Sequence, residues 1–202
     1  MKENYSKDIA GRIREYLENE EIRYEFEEER GLFRFGISIP GSLQKLNYVI
    51  NIKRDDYNVY VFPLFSADKN NQEMMSQIEK FFNMINYSIR NGSFEMDDSD
   101  GEIRYRSYVE CVEMELSYEA VRNSIHWAAI VYMRYGKGIL HIIFNNMSAK
   151  DAFDMCVQEV KQTEEKRSNT ETAETDDVSE EETEYSESAL EDMIARIAES
   201  DV

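Results

Sequence analysis

The segment from Asn86 to Val109 constrains the fold of this chain more than any other. Apolar residues at helical spacing come before it, and an Asn-Gly pair at positions 91–92 ends that pattern. Phe94 and Met96 then alternate with polar residues up to an acidic turn at Asp100-Gly101, and a longer alternating run follows. Together these features predict a helix that leads directly into a β-hairpin.

The rest of the chain predicts an α+β fold around that hairpin. Three runs between residues 22 and 53 alternate apolar and polar side chains, as strands with one wet face do. A fourth run, from Tyr57 to Phe62, is apolar or aromatic on nearly both sides, so we expect it to lie centrally or to be covered on its second face. Amphipathic helices are predicted before these strands, after them and after the hairpin, where Ser117 is the expected N-cap. We expect an antiparallel sheet of about five strands with helices packed mainly on one face. The predicted order is α-β-β-β(β)-α-β-β-α plus a C-terminal helix.

The run Ile139–Phe144 fits more than one structure. Gly136-Lys137-Gly138 comes directly before it, which predicts an interruption of the helix that starts near Ser117. So short an apolar run is compatible with a strand or with a helical segment, and the sequence leaves both open. Ser148 and Asp151 then form the pattern of a helix capping box, so a final helix is predicted up to residue 160.

Charge divides the chain into a body and a tail. The net charge is -19, and 15 acidic residues against four basic ones lie from Lys161 onward, which leaves -8 for the body. The tail has too few apolar side chains to offset the entropy lost on ordering. We therefore predict one domain over residues 1–160 and a disordered acidic tail over 161–202. A short amphipathic segment at 188–198 has one apolar side, formed by Leu190, Met193, Ile194 and Ile197.

The composition also limits the location and the partners of the chain. An acidic surface disfavours nucleic acid, because lysine and arginine drive that binding, and it disfavours anionic membranes for the same reason. No signal-peptide pattern and no apolar run of about 20 residues is present, so we expect a cytoplasmic protein. Cys111 and Cys156 each lie inside an apolar pattern, which favours buried free thiols over a disulfide.

No motif in the sequence predicts a reaction, a cofactor or a metal site. The acidic run from Asp97 to Glu102 lacks the first and last carboxylates that a calcium loop needs around Gly101. His126 and His141 have no zinc-ligand partners at the required spacing. Nucleophile elbows and phosphate-binding loops are absent as well. We expect a protein without enzymatic activity, and an enzyme with a pocket of scattered carboxylates and tyrosines remains an alternative.

The high content of aromatic side chains is the feature of the composition that best indicates a function. The chain has 13 tyrosines, and exposed tyrosines next to charged residues are typical of protein interfaces. The candidate partner-binding residues are Tyr48, Tyr60, Phe62, Arg104, Arg106 and Tyr108. The candidate contacts of a homodimer, which the sequence leaves open, are Met74, Met75, Ile78 and Phe82. The candidate docking residues of the tail are Leu190, Met193, Ile194 and Ile197.

The residues from Phe81 to Tyr105 resemble the YbjN family, whose fold is that of the type III secretion chaperones. The resemblance rests on Asn86, on Gly92 with Phe94, and on the Asp100-Gly101 turn followed by Ile103 and Arg106. It covers about residues 8 to 139. The resemblance implies a small acidic α+β domain, often dimeric, which acts as a chaperone-like or regulatory protein-binding module rather than as an enzyme.

Two functional hypotheses follow from these observations. In the first, the domain captures an extended or helical segment of a partner protein along its sheet face or sheet edge. In the second, the chain is a regulatory adaptor in which residues 190–197 occupy the same groove until a partner displaces them. Both require a surface that the helices of the domain leave uncovered.

Overall fold

The computed structural model describes residues 4–112 and 116–171. The helices are α1 (Lys7–Asn19), α2 (Gln72–Ser88), α3 (Tyr118–Asn145) and α4 (Ala149–Glu171). The strands are β1 (Tyr24–Glu27), β2 (Leu32–Ser38), β3 (Lys45–Ile52), β4 (Asp56–Phe62), β5 (Ser93–Met96) and β6 (Ile103–Glu110). The chain divides into two compact units, Met1–Cys156 and Val157–Val202. The first unit contains the sheet, and of the second the structure describes the helical backbone of α4 as far as Glu171.

The predicted α+β class is confirmed, and the sheet has six strands rather than about five. The strand order is β1-β2-β3-β4-β6-β5, and every neighbouring pair is antiparallel. The extra strand arises because two runs of only four residues, β1 and β5, both pair with the sheet and form its two edges. Short edge strands are common because they limit unwanted pairing.

The core lies between one face of this sheet and the helices. Phe35, Tyr48, Val61, Tyr105 and Phe94 stand opposite one another from strand to strand, and all five are buried. We call this side the helix-covered face. The other side, where the intervening residues of each strand point, is called the open face below. Alternation of the side chains along each strand produces the two faces.

Helix α3 covers the centre of the sheet and is tied to it by buried tyrosines. The Tyr57 hydroxyl lies 3.0 Å from the Ser124 hydroxyl. Tyr132 donates to the main-chain oxygen of Val61 at 2.9 Å. These hydrogen bonds satisfy hydroxyl groups that would otherwise be buried without a partner, which costs about 1–3 kcal/mol each.

The prediction that α3 is interrupted at Gly136-Lys137-Gly138 is wrong. The helix continues through both glycines to Asn145, so Ile139–Phe144 is helical and the question left open by the sequence is settled. The glycines are needed for close packing: a Cβ at Gly138 would lie 2.5 Å from Cζ of Phe81 and 3.0 Å from the sulfur of Cys156. Asn146, in a left-handed conformation with φ 53°, ends the helix instead.

Helix α4 begins as predicted. Ser148 donates to Asp151 Oδ2 at 2.7 Å, and the Asp151 main-chain N–H donates back to the Ser148 hydroxyl at 3.2 Å. The helical backbone continues to Glu171, beyond the domain boundary placed at residue 160. The rest of the predicted acidic tail, including Leu190, Met193, Ile194 and Ile197, lies outside the described residues and stays a prediction.

The last turn of α2 is tied to β5 by an unusual side-chain contact at Asn86. The amide nitrogen of Asn86 donates to the main-chain oxygen of Phe94 at 3.0 Å, and its oxygen accepts from the Phe94 N–H at 2.8 Å. The side chain therefore pairs with β5 as a neighbouring strand would. Gly92, with φ +70°, completes the connection, because a Cβ there would overlap the hydroxyl of Tyr105.

Candidate partner-binding surface

The open face is the largest part of the sheet that no described helix covers. Arg34, Val49, Tyr60 and Arg106 follow one another across β2, β3, β4 and β6. None of the four is buried, whereas the residues on either side of them along each strand are mostly buried. The face therefore combines aromatic and aliphatic surface with arginines, although the body as a whole is acidic.

Five of the six predicted partner-binding residues lie together on this face. Tyr60 stands opposite Arg106, and Tyr108 stands opposite Asn58 one pair further along the same two strands. The remaining two, Phe62 and Arg104, lie on those strands with the same alternation and are half-buried. Tyr108 is the most exposed of the five, with 52% of its surface accessible.

Tyr48 is the sixth predicted residue, and its placement on this surface is wrong. It lies on the helix-covered face with 1% of its surface exposed, and its hydroxyl donates to the main-chain oxygen of Ile125 at 3.3 Å. Its ring stacks on that of Phe35 at a centroid distance of 5.0 Å. Because Tyr48 alternates in phase with the buried Leu46 and Ile50, it belongs to the core.

Glu95 holds two arginines of the open face, Arg104 and Arg106, in fixed positions. Its carboxylate accepts from Arg104 Nε at 2.7 Å and forms an ion pair with Arg106 Nε at 3.2 Å. The Arg104 guanidinium also lies 5.1 Å from the ring centroid of Tyr60, within cation–π range. Since one carboxylate serves two guanidinium groups, the cluster keeps one excess positive charge. We call these four residues the Arg104–Arg106 cluster.

A shallow depression of about 800 Å³ adjoins this cluster. Its lining includes Arg34, Asn47, Val49, Phe62 and Leu64, together with the acidic Asp100 and Glu102. Leu64 is 63% exposed and adds apolar surface to the depression. Sequence reasoning missed Arg34, Val49 and Leu64. The alternation of β2 and β3 could have identified the first two, whereas Leu64 follows Pro63 outside any periodic pattern.

The predicted dimer contacts on α2 do not form an exposed surface, so this prediction is wrong. Ile78 is fully buried, Met75 and Phe82 are nearly so, and only Met74 is half-buried. The ring of Phe82 stacks on that of Phe94 at 5.0 Å. The apolar stripe of α2 was identified correctly, but it packs on β5 and α3 within the same chain.

The tyrosines whose pKa values are strongly raised belong to the core. Burial raises the pKa of Tyr48, Tyr57 and Tyr105 well above the ordinary value. All three lie on the helix-covered face and donate or share hydrogen bonds there, so they are structural groups. Among the described residues, no three His, Cys, Asp or Glu side chains come close enough together to hold a metal ion.

The fold and this surface define a class of protein: a small α+β domain in which the described helices cover one face of the sheet. None of the helices described is both long and apolar enough to cross a bilayer. The model of the YbjN family, described as "Putative bacterial sensory transduction regulator", matches residues 10–140. The chain therefore belongs to the YbjN family. A search of the curated proteins found no match.

Proposed function

We propose that this chain is a non-enzymatic regulatory or chaperone-like module of the cytoplasm that captures a segment of a partner protein on its open face. The observation that carries the proposal is the position of Tyr60, Phe62 and Tyr108 beside the Arg104–Arg106 cluster on the open face, which no described helix covers. The regulator description of the family supports a binding role. Aromatic rings and arginines are the side chains that contribute most to protein interfaces.

The chemistry of the surface indicates what kind of segment it accepts. Arg34 and the Arg104–Arg106 cluster favour acidic side chains, and Val49, Phe62 and Leu64 offer apolar contact between them. A segment with acidic residues interspersed among aliphatic or aromatic ones matches both features. Fixed arginines lose little side-chain entropy on binding, because Glu95 and Tyr60 already hold them.

Photo-crosslinking in the native host tests the proposal. A photoreactive phenylalanine replaces Tyr60 or Tyr108 on the open face, and in a control it replaces Tyr87, which lies on α2 and is 94% exposed. We expect one defined protein adduct from the open-face positions and none from Tyr87. Combining either probe with the change Arg104→Glu should abolish the adduct. Equal labelling from all three positions, or an adduct insensitive to Arg104→Glu, would contradict the proposal.

A second function is the tail-gated adaptor, and one observation favours it. The tail after Lys161 carries -11, and the open face carries arginines on an otherwise acidic body. The apolar residues of the segment 190–197 would then occupy the depression beside Val49 and Leu64. Deleting residues 172–202 leaves every described element intact and should raise affinity for the crosslinked partner. Unchanged affinity after this deletion would refute gating while leaving capture on the open face intact.

A further inference from the structure

The two edges of the sheet differ in whether another strand can pair with them. At β5, the side chain of Asn86 already occupies the outward N–H and C=O of Phe94. The corresponding groups of β1 can be identified from the hydrogen bonds of its neighbour. The main-chain oxygen of Gly31, next to β2, accepts from the N–H of Ile52, the last residue of β3, at 3.0 Å. Odd-numbered residues of β2 therefore direct their main-chain groups towards β3, and even-numbered ones towards β1.

The register of β1 then shows which of its groups point outward. Even-numbered Leu32 and Arg34 of β2 stand opposite Glu27 and Glu25. Those two glutamates use their main-chain groups in the ladder, so Tyr24 and the residue two positions later, Phe26, direct theirs away from the sheet. No described residue hydrogen-bonds to the main chain of either. A row of unpaired groups at an edge is a template for one more strand.

The side chains of this edge form a self-complementary pattern. The sequence Ile22-Arg23-Tyr24-Glu25-Phe26, read against itself in antiparallel orientation about Tyr24, places Arg23 opposite Glu25 and Ile22 opposite Phe26. Arg23 and Glu25 are exposed on the open face, and Ile22 and Phe26 are half-buried on the helix-covered side. Opposite charges and apolar pairs that face each other across strands each stabilise a sheet by roughly 0.2–1 kcal/mol.

We propose that β1 pairs with β1 of a second copy of this chain, antiparallel and with Tyr24 opposite Tyr24. The two six-stranded sheets would then form one continuous sheet with both open faces on the same side. This interface goes beyond the proposed capture of a partner and does not depend on it. It also replaces the α2 stripe, which is buried within one chain, as the surface for self-association.

Other registers are less favourable for a reason that the sequence makes plain. Within β1, Tyr24 and Phe26 point their main-chain groups outward, so the alternatives that pair these residues are Tyr24 opposite Phe26 or Phe26 opposite Phe26. In the proposed register Phe26 stands opposite Ile22, whose N–H already donates to the main-chain oxygen of Leu17 at 2.8 Å, so the Phe26 N–H pairs there with the Ile22 oxygen alone. Of the two alternatives, the first sets Glu25 against Glu25, although it also places Arg23 opposite Glu27, and the second sets Glu25 against Glu27. Like charges directly opposite each other destabilise a strand pair. In addition, Glu27 already forms ion pairs within its own hairpin.

Sedimentation equilibrium of the full chain tests the interface through complementary charge changes. We expect concentration-dependent dimers for the natural sequence. With Arg23→Glu alone, the new glutamate faces Glu25 of the second copy at both ends of the strand pair. With Glu25→Arg alone, the new arginine faces Arg23 of the second copy. Each change should therefore weaken self-association at least about tenfold. A one-to-one mixture of the two variants should form heterodimers, because each introduced charge then faces its opposite.

Controls separate the interface from general charge effects. Arg54→Glu changes the net charge as much as Arg23→Glu does, but at an exposed position in the turn after β3. It should leave dimerisation unchanged. A monomeric natural chain at all concentrations, equal weakening by Arg54→Glu, or a mixture that fails to associate would each overturn the proposal.

Hydrogen exchange of the natural chain provides a test that needs no substitution. The amides of Tyr24 and Phe26 should become protected at high protein concentration and exchange freely at low concentration. The amide of Phe94, which Asn86 already binds, should be equally protected at both. Concentration-independent exchange at Tyr24 and Phe26 would overturn the pairing even if the variants failed to fold.

Discussion

Replacing Asn86 tests whether one side chain holds the edge strand β5 in place. Asn86→Ala removes both hydrogen bonds to the main chain of Phe94, at 3.0 and 2.8 Å, and leaves a partly buried N–H and C=O without that partner. Each bond contributes about 1 kcal/mol, and an unsatisfied group costs about 1–3 kcal/mol. We therefore expect a loss of about 2–3 kcal/mol in the free energy of unfolding. For a unit of this size the loss lowers Tm by about 5–10 °C.

Urea denaturation measured by the fluorescence of Trp127 is a suitable assay. Trp127 is the only tryptophan of the chain, and its Nε1 donates to the main-chain oxygen of Asn91 at 3.0 Å, next to this connection. Asn91→Ala is the control, because it makes the same chemical change at an exposed position in the loop between α2 and β5. A loss below about 0.5 kcal/mol for Asn86→Ala, or an equal loss for Asn91→Ala, would refute the reasoning.

The variant Asn86→Asp tests the same contact through the pH dependence of the free energy of unfolding. The carboxylate keeps an acceptor for the Phe94 N–H, but its second oxygen faces the Phe94 main-chain oxygen instead of donating to it. Protonation restores a donor, so the folded state should raise the pKa of the introduced carboxyl above its unfolded value of about 3.9. The stability deficit relative to the natural chain should therefore shrink as pH falls through the folded pKa. A deficit that is constant with pH would contradict this account.

Two further predictions concern the helices. Gly138→Ala should destabilise the protein by about 1–3 kcal/mol, because the new Cβ would overlap Phe81. Gly11→Ala in α1 should instead stabilise it by about 0.5–1 kcal/mol, because nothing lies within 4 Å of a Cβ at that position. The urea midpoints of the two variants check both signs. Burial, with a smaller effect of Arg122, lowers the pKa of His126. The folded state thus favours the neutral ring, and the free energy of unfolding should fall as pH drops below about 6.5 and level off below the folded pKa. Midpoints between about pH 8 and about pH 5 should show a weaker decline for His126→Gln, and an identical decline would contradict this assignment.

The sequence was most informative where local patterns determine structure. The alternation in the strands, the Asn-Gly break and the capping box at Ser148 all depend on nearby residues, and the structure confirms the elements they predict. The glycines of α3 were misread because a glycine favours a break locally, whereas here it permits close approach of Phe81 and Cys156. That reason lies in residues far away along the chain, so no local pattern could contain it.

The candidate surface illustrates the same limit. Amphipathic periodicity showed that α2 has an apolar stripe around Ile78 and Phe82, but it could not show whether that stripe meets another helix, the sheet or a second chain. For the strands, alternation separated two faces and put Tyr60 and Tyr108 together. Deciding which face the helices cover required the sheet order. Glu95, which positions Arg104 and Arg106, was missed because its partners lie across a hairpin pairing whose register the sequence left undefined.

Pairing at β1 and capture through the Arg104–Arg106 cluster should act independently, because these two sites lie far apart on the sheet. β1 and β6 are separated by β2, β3 and β4, so Arg23 and Arg104 lie about 19 Å apart at a strand spacing of about 4.8 Å. Changes at sites more than about 10 Å apart usually add within about 0.5 kcal/mol. We therefore expect the double variant Arg23→Glu with Arg104→Glu to lose self-association and partner capture by the same factors as the single variants do. A coupling well above 0.5 kcal/mol in this double-mutant cycle would mean that the partner spans both copies of the sheet, so that capture and dimerisation form one interface.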